Sequence, residues 1–187
     1  MRKFIFMKIF GSKSLSSILY YLTRLGLWVS ISFLLFVVIS LTVGFISYWL
    51  DWENALIALS MKDEFSLHIK PLDIFFIGEM GLPAIIPMFI FTTASFYVLA
   101  LYFLNRLFKN FTSSVIFQKE VIKSLNGLAI SFLAAAILSF CMMYFSPHSD
   151  SDFLAALLLI FFALILFFIK EVFRQGVVIQ EEQNLTI

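Results

Sequence analysis

Charge is what this chain has least of. Asp, Glu, Lys and Arg together make up 13% of its 187 residues, about half the roughly 25% of an average soluble domain. The charges nearly cancel, to a net +1, so there is no global basic footprint for nucleic acid and no direct nucleic-acid binding is expected. A single cysteine, Cys141, excludes an internal disulfide and the thiol oxidoreductases that work through cysteine pairs. The two histidines, His68 and His148, have no zinc spacing to it. They sit among Asp63, Glu64, Asp73, Glu79, Asp150 and Asp152, a set better read as a solvated acidic face than as a cation site. No phosphate-binding glycine loop, H-E-x-x-H or G-x-S-x-G is present. The expectation is a protein without catalytic residues, cofactor or metal.

What the chain has instead is apolar surface. Hydrophobic residues make up 61% and 25 residues are Phe, more than a water-soluble domain of this size could bury. Four stretches carry no charged residue: Leu25–Leu50, Pro83–Leu104, Gly127–Phe145 and Phe153–Ile169, of 26, 22, 19 and 17 residues. At about 1.5 Å per residue each approaches or exceeds a hydrocarbon core of about 30 Å. Unbroken apolar runs of this length fit helices, not barrel strands of roughly 9–11 alternating residues. The fold class predicted is an all-α integral membrane protein, a bundle of four transmembrane helices in contact with the lipid bilayer.

Lys and Arg set the orientation. Eleven of the thirteen lie in residues 1–24, the inner loop 105–126 and the tail 170–187, and two, Lys62 and Lys70, in the outer loop 51–82. The short outer turn 146–152 has none. The positive-inside rule therefore places both termini in the cytoplasm. The N-terminal MRKFIFMKIF resembles a signal peptide, but Lys8 breaks its apolar run and no small-residue cleavage site follows, so it is expected to be retained.

Between the spans, Leu15, Ile18, Leu19 and Leu22 recur with helical spacing opposite Ser12, Lys13, Ser16, Ser17 and Thr23. This predicts an amphipathic helix over residues 12–24 of the cytoplasmic lead-in 1–24, a helix lying on lipid or, alternatively, a face for docking a partner. In the outer loop Phe65, Leu67 and Ile69 alternate with Ser66, His68 and Lys70, Pro71 ends the run, and 73–77 is apolar. A small β-hairpin or extended cap is expected there, with Phe75, Phe76 and Ile77 against helices or headgroups. Gln118–Leu125 is expected to run as one helix into the third span, and the last helix to continue past Lys170 and Arg174 to a stop at Gly176.

Polar chemistry inside the spans is sparse. None holds an ionisable Asp, Glu, Lys, Arg or His, which argues against proton-coupled pumps and charge-selective channels. Thr92, Thr93 and Ser95 cluster in the second span; the simplest reading is that they bond within or between helices. Gly127, Ser131, Ala135 and Ser139 form a ridge of small residues on the third, with Ser40 and Gly44 a weaker version on the first. Such ridges let helices approach closely, within one chain or in a homo-oligomer.

The tail EVFRQGVVIQEEQNLTI repeats Phe173, Gly176, Ile179, Glu182 and Leu185 every three residues, before Thr186 and Ile187. With Phe117 and Leu125 of the inner loop, it resembles the closing signature of a bacterial four-span family, domain of unknown function 2975. Val121 and Ala129 stand where that family has Asn and Gly. The resemblance implies a polytopic protein of the bacterial plasma membrane without an assigned reaction, often encoded beside a small helix-turn-helix regulator of the Xre type. The expectation that follows is a membrane-embedded partner or tether for such a regulator. Its contact would be a tail extended beyond Gly176, with Glu181 and Glu182 an acidic patch and Leu185, Thr186 and Ile187 available for strand addition. The tail could instead fold back, pairing Glu182 with Lys119 or Lys123. Rival readings are a small permease for a neutral or apolar compound, its path lined by Thr92, Thr93, Ser95 and Tyr97, or an accessory subunit of a larger membrane complex.

Overall fold

The structure is a computed structural model and describes residues 14–50, 56–60, 65–78, 85–113, 117–143 and 149–185. In chain order its elements are helix α1 (Leu15–Trp49), strands β1 (Ile57–Ser60), β2 (Phe65–Ile69) and β3 (Ile74–Gly78), and helices α2 (Ile85–Phe111), α3 (Lys119–Met143) and α4 (Ser149–Leu185). All four helices are long and apolar enough to cross a membrane. Pro87, in the first turn of α2, stands where its missing N–H removes no helical hydrogen bond.

Two helix boundaries differ from expectation. Among the described residues no separate surface helix precedes the first span; α1 is continuous over 35 residues, about 52 Å. Gly26 lies within it with open space around its Cα and costs only about 1 kcal/mol of helix propensity, too little to break it. The hydroxyl side of this segment meets protein instead of water. Ser16 and Thr23 are buried, whereas Leu15, Ile18 and Leu22 are exposed. The hydroxyl side faces the protein and the apolar side faces outward, the arrangement a helix takes when its surroundings are lipid. At the other terminus α4 does not stop at Gly176 but runs 37 residues to Leu185, about 55 Å. The expected continuation of Gln118–Leu125 into the third span is found: α3 begins at Lys119 and is unbroken to Met143.

The outer loop holds more structure than a hairpin. β1, β2 and β3 form a three-stranded antiparallel sheet in that order, Leu59 opposite Leu67 and Leu67 opposite Phe76. A single 3₁₀ turn, Lys70–Leu72, joins β2 to β3 and closes on Asp73 at φ 51°, a left-handed conformation that Asp tolerates better than most residues. The side chains of Phe75, Phe76 and Ile77, expected against helices or headgroups, lie outside the described residues. One sheet face, Ile57, Leu59, Leu67 and Ile69, packs on Val37 and Leu41 of α1, with Phe36 and Ile90 at its edge. The Ser47 hydroxyl fixes the join by donating to the Ile57 carbonyl at 2.9 Å. Gly44 admits the sheet: a Cβ there would stand 3.1 Å from Leu67 Cδ1. Ser40 and Gly44 thus lie on the buried face of α1, with Gly44 opposite a sheet rather than in a small-residue contact between helices.

Helix packing follows chain order: α1 on α2, α2 on α3, and α3 on α4, with no packed α1–α4 interface. The helices form a row in this order among the described residues, and side chains of α2 and α4 also meet across α3, at Phe111 and Phe173. The most extensive interface is α3 with α4. Each carries fully buried alanines seven residues apart, Ala129 and Ala136 on α3 and Ala156 and Ala163 on α4, a spacing that returns to one helix face after two turns and lets backbones approach.

Candidate functional site

The polar side chains that join helices gather at the end of the row opposite the sheet. Ser16 of α1 donates to the carbonyl of Phe111, the last residue of α2, at 3.1 Å, and Ser14 and Ser16 share a 2.6 Å hydrogen bond. This supplies a partner to one of the carbonyls a helix end leaves open. Asn105 of α2 donates to the Tyr20 carbonyl and to the Thr23 hydroxyl, at 3.0 and 3.1 Å. On the other side of the row, Lys170 of α4 donates to Asn126 Oδ1 of α3 at 3.1 Å. Thus α1 begins, α2 ends, α3 begins and α4 ends at one place.

There the tail meets the loop before α3. The Phe117 ring lies over Gly176, where even a Cβ would overlap its ring atoms. It also packs on Phe173, ring centres 5.5 Å apart, and Phe173 meets Phe111 at 5.8 Å. Beneath them Leu107, Val121 and Leu125 form a buried cluster into which Leu166, Ile169 and Phe173 pack. Lys119 Nζ reaches Glu181 Oε1 at 3.0 Å. Phe117, Val121, Leu125 and Ala129 are four apart, and the last three are buried on one ridge of α3. The two segments singled out in the sequence, around Phe117 and around Gly176, are packing partners.

This corrects the reading of the tail. Val177 is buried and Glu181 is held on α4 beside α3, so the described residues after Gly176, 177–185, are helical and not extended. Leu185 ends a helix and is not available for strand addition; Thr186 and Ile187 lie outside the described residues. The fold-back alternative describes the arrangement better, with the ion pair formed one residue earlier than supposed. Gly176 is needed for its missing side chain, not for a left-handed turn. Sequence reasoning missed Phe103, Phe111 and Asn105, and the four-residue spacing from Phe117 was the one signal for the ridge.

A second feature lies in the sheet-side half of the row. A cavity of about 240 Å³ opens between α2, α3 and α4, bounded by Thr93, Tyr97, Ser131, Ala135 and Ser139 among others. The small-residue ridge of α3 is thereby divided. Gly127 is in tight contact with the Phe103 ring of α2, while Ser131, Ala135 and Ser139 line the cavity instead of closing a seam. The row of hydroxyls expected along a permease path is divided too. Thr92 and Ser95 donate to the Met88 and Phe91 carbonyls of their own helix, at 2.5 and 2.8 Å; Thr93 and Tyr97 face the cavity. Elsewhere His68 Nε2 lies 3.4 Å from Asp73 Oδ1, and no group of metal ligands occurs among the described residues. His148, Asp63, Glu64, Glu79 and the side chains of Asp150 and Asp152 are outside them.

Comparison with curated proteins and with solved structures gives no match. A family model does match, over residues 74–187, and these contain β3, all of α2, α3 and α4, and both halves of the Phe117–Gly176 contact. The chain belongs to that family, whose description is protein of unknown function (DUF2975).

Proposed function

We propose that this protein is a non-enzymatic membrane anchor that holds a small basic helix-turn-helix regulator at the cytoplasmic face of the bacterial plasma membrane, through the outward side of the α4 extension. One observation carries the reading. Helix α4 continues as a docked, ordered helix from Lys170 to Leu185, about 24 Å beyond its apolar stretch. The extension keeps Val172, Val178 and Ile179 about half exposed. Ile179 lies about 15 Å past Ile169, where the charge-free run ends.

Around these apolar side chains stand Arg174 and Gln175, exposed, and the acidic pair Glu181–Glu182. An apolar centre with a charged rim is the make-up of a protein-binding patch. Acidic groups at an end otherwise rich in Lys and Arg suit a basic protein and disfavour anionic headgroups. The Lys and Arg distribution supports placing this end in the cytoplasm. The partner class rests on the gene neighbourhood that the family resemblance implies.

The test is co-purification, in mild detergent, of the helix-turn-helix protein encoded beside this one. Wild type should retain it. Val178→Ser with Ile179→Ser should release it while membrane accumulation stays unchanged, because both side chains point away from α3. Retention by the double variant would show that this surface is not the contact. No retention by wild type would remove the regulator from the proposal.

A further inference from the structure

Two polar contacts mark one side of the seam between α3 and α4: Lys119 with Glu181 at 3.0 Å, and Lys170 with Asn126 at 3.1 Å. At about 100° per residue, Lys119, Lys123 and Asn126 lie within about 60° of one another around α3, and Lys170, Arg174 and Glu181 within about 40° around α4. The six make one polar stripe along the seam.

Its charges are unevenly compensated. Lys119 is paired with Glu181, and Arg174 donates twice to Glu171, at 3.1 and 2.6 Å. Lys123 is exposed and has no ion-pair or hydrogen-bond partner among the described residues. Lys170 is half-buried, yet its ammonium is held by neutral groups alone: the Asn126 amide oxygen and the face of the Phe167 ring, 4.9 Å away. A charge taken partly out of water favours a counter-charge, and neither contact supplies one. Lys123 precedes Asn126 by three residues, about 4.5 Å along α3, so one phosphate between them is within reach of both lysines.

Depth selects the kind of anion. The uncharged stretches end at Gly127 on α3 and at Ile169 on α4. Lys170 is the next residue, and Lys123 lies about 6 Å beyond Gly127. The headgroup layer on each side of the hydrocarbon core is roughly 5–8 Å thick, so both lysines stand where lipid phosphates stand. The neutral pair Lys119–Glu181 starts about 12 Å beyond Gly127, outside that layer. Towards the core the same face of α3 continues into Ile130 and Ile137, both exposed.

We propose that Lys123 and Lys170 hold the phosphate of an anionic phospholipid at the α3–α4 seam, with an acyl chain along Ile130 and Ile137. Asn126 and Phe167 set the Lys170 ammonium in place before the lipid arrives. A zwitterionic lipid carries its own cation beside the phosphate and gains less from two lysines. The site depends neither on the regulator nor on which side of the membrane this end faces.

The test is equilibrium binding of a fluorescent phosphatidylglycerol to the full chain in neutral detergent. The competitors are dioctanoyl phosphatidylglycerol, dioctanoyl phosphatidylcholine and inorganic phosphate. Binding should be saturable, displaced by the first at lower concentration than by the second, and unaffected by inorganic phosphate at the same concentrations. Lys123→Gln and Lys170→Gln should each weaken it about fivefold. Lys123→Arg, which keeps the charge, should retain it, and Lys119→Gln should leave it unchanged. If Lys170→Gln does not accumulate, the exposed Lys123 carries the test. Equal displacement by phosphatidylcholine would overturn the proposal. So would displacement by inorganic phosphate, which would mark a site for a soluble anion. An equal loss in Lys119→Gln, or no loss in Lys123→Gln, would overturn it as well, by showing attraction to diffuse surface charge.

Discussion

The ring of Phe117 occupies the position where residue 176 would carry a side chain, so the loop before α3 is seated against α4 by an absent Cβ. Gly in a helix interior normally costs about 1 kcal/mol relative to Ala. Here that cost is offset by the contact it admits. Phe117 in turn touches Phe173, one turn earlier on α4, so a single aromatic side chain joins the two segments that distinguish this sequence.

Gly176→Ala is therefore expected to destabilise the protein, by about 1–3 kcal/mol from overpacking, although helix propensity alone would favour it. Phe117→Leu should be milder, and the double variant should recover part of the loss, because the smaller side chain makes room. Thermal unfolding in a fixed detergent measures all three. A higher melting temperature for Gly176→Ala would mean that the ring is not seated there.

The docked tail predicts proximity without large energy. Lys119 and Glu181 are 70% and 59% exposed, so their ion pair should contribute no more than about 1 kcal/mol, and exchanging the two residues should leave stability nearly unchanged. Cysteines at positions 119 and 181, in a Cys141→Ser background, should be joined efficiently by a short bifunctional thiol reagent. A tail extended from Gly176 would give little of that product.

Asn105 is expected to matter more than its exposure suggests. It is half-buried and donates two hydrogen bonds to α1, one to a backbone and one to a side-chain oxygen. Asn105→Ala should cost about 1–2 kcal/mol. Thr23→Val should cost less, since the Tyr20 carbonyl still accepts from Asn105. Equal stability of Asn105→Ala and wild type would show that these two hydrogen bonds do not hold α1 to α2.

Orientation is open to direct measurement. In the same Cys141→Ser background, a cysteine at Ser60 on the sheet should react with an impermeant thiol reagent in intact cells, and one at Lys123 should react only after permeabilisation. The opposite pattern would reverse the orientation proposed from Lys and Arg, and with it the cytoplasmic position of the α4 extension.

Much of this architecture is legible in one dimension because lipid imposes a one-dimensional rule. A backbone crossing hydrocarbon must satisfy its own hydrogen bonds, so four uncharged apolar runs are enough to give the four helices. The alternation of Phe65, Leu67 and Ile69 likewise gives β2, while β1, four residues long, is too short for its period to stand out. What the sequence could not decide is which residues meet. Gly176 reads locally as a helix stop because glycine usually ends helices; only the approach of Phe117, from another element, shows that its use is to leave space. Ser131, Ala135 and Ser139 read as a packing ridge because they are small; only the positions of α2 and α4 show that the space beside them is left open. Thr92 and Thr93 are adjacent and chemically identical, yet one bonds its own helix and the other has its hydroxyl buried without a hydrogen-bond partner among the described residues. Composition and spacing determine elements, since those depend on each segment and its solvent. The contacts that give a glycine or a hydroxyl its role depend on side chains distant in the chain, and tertiary packing alone decides them.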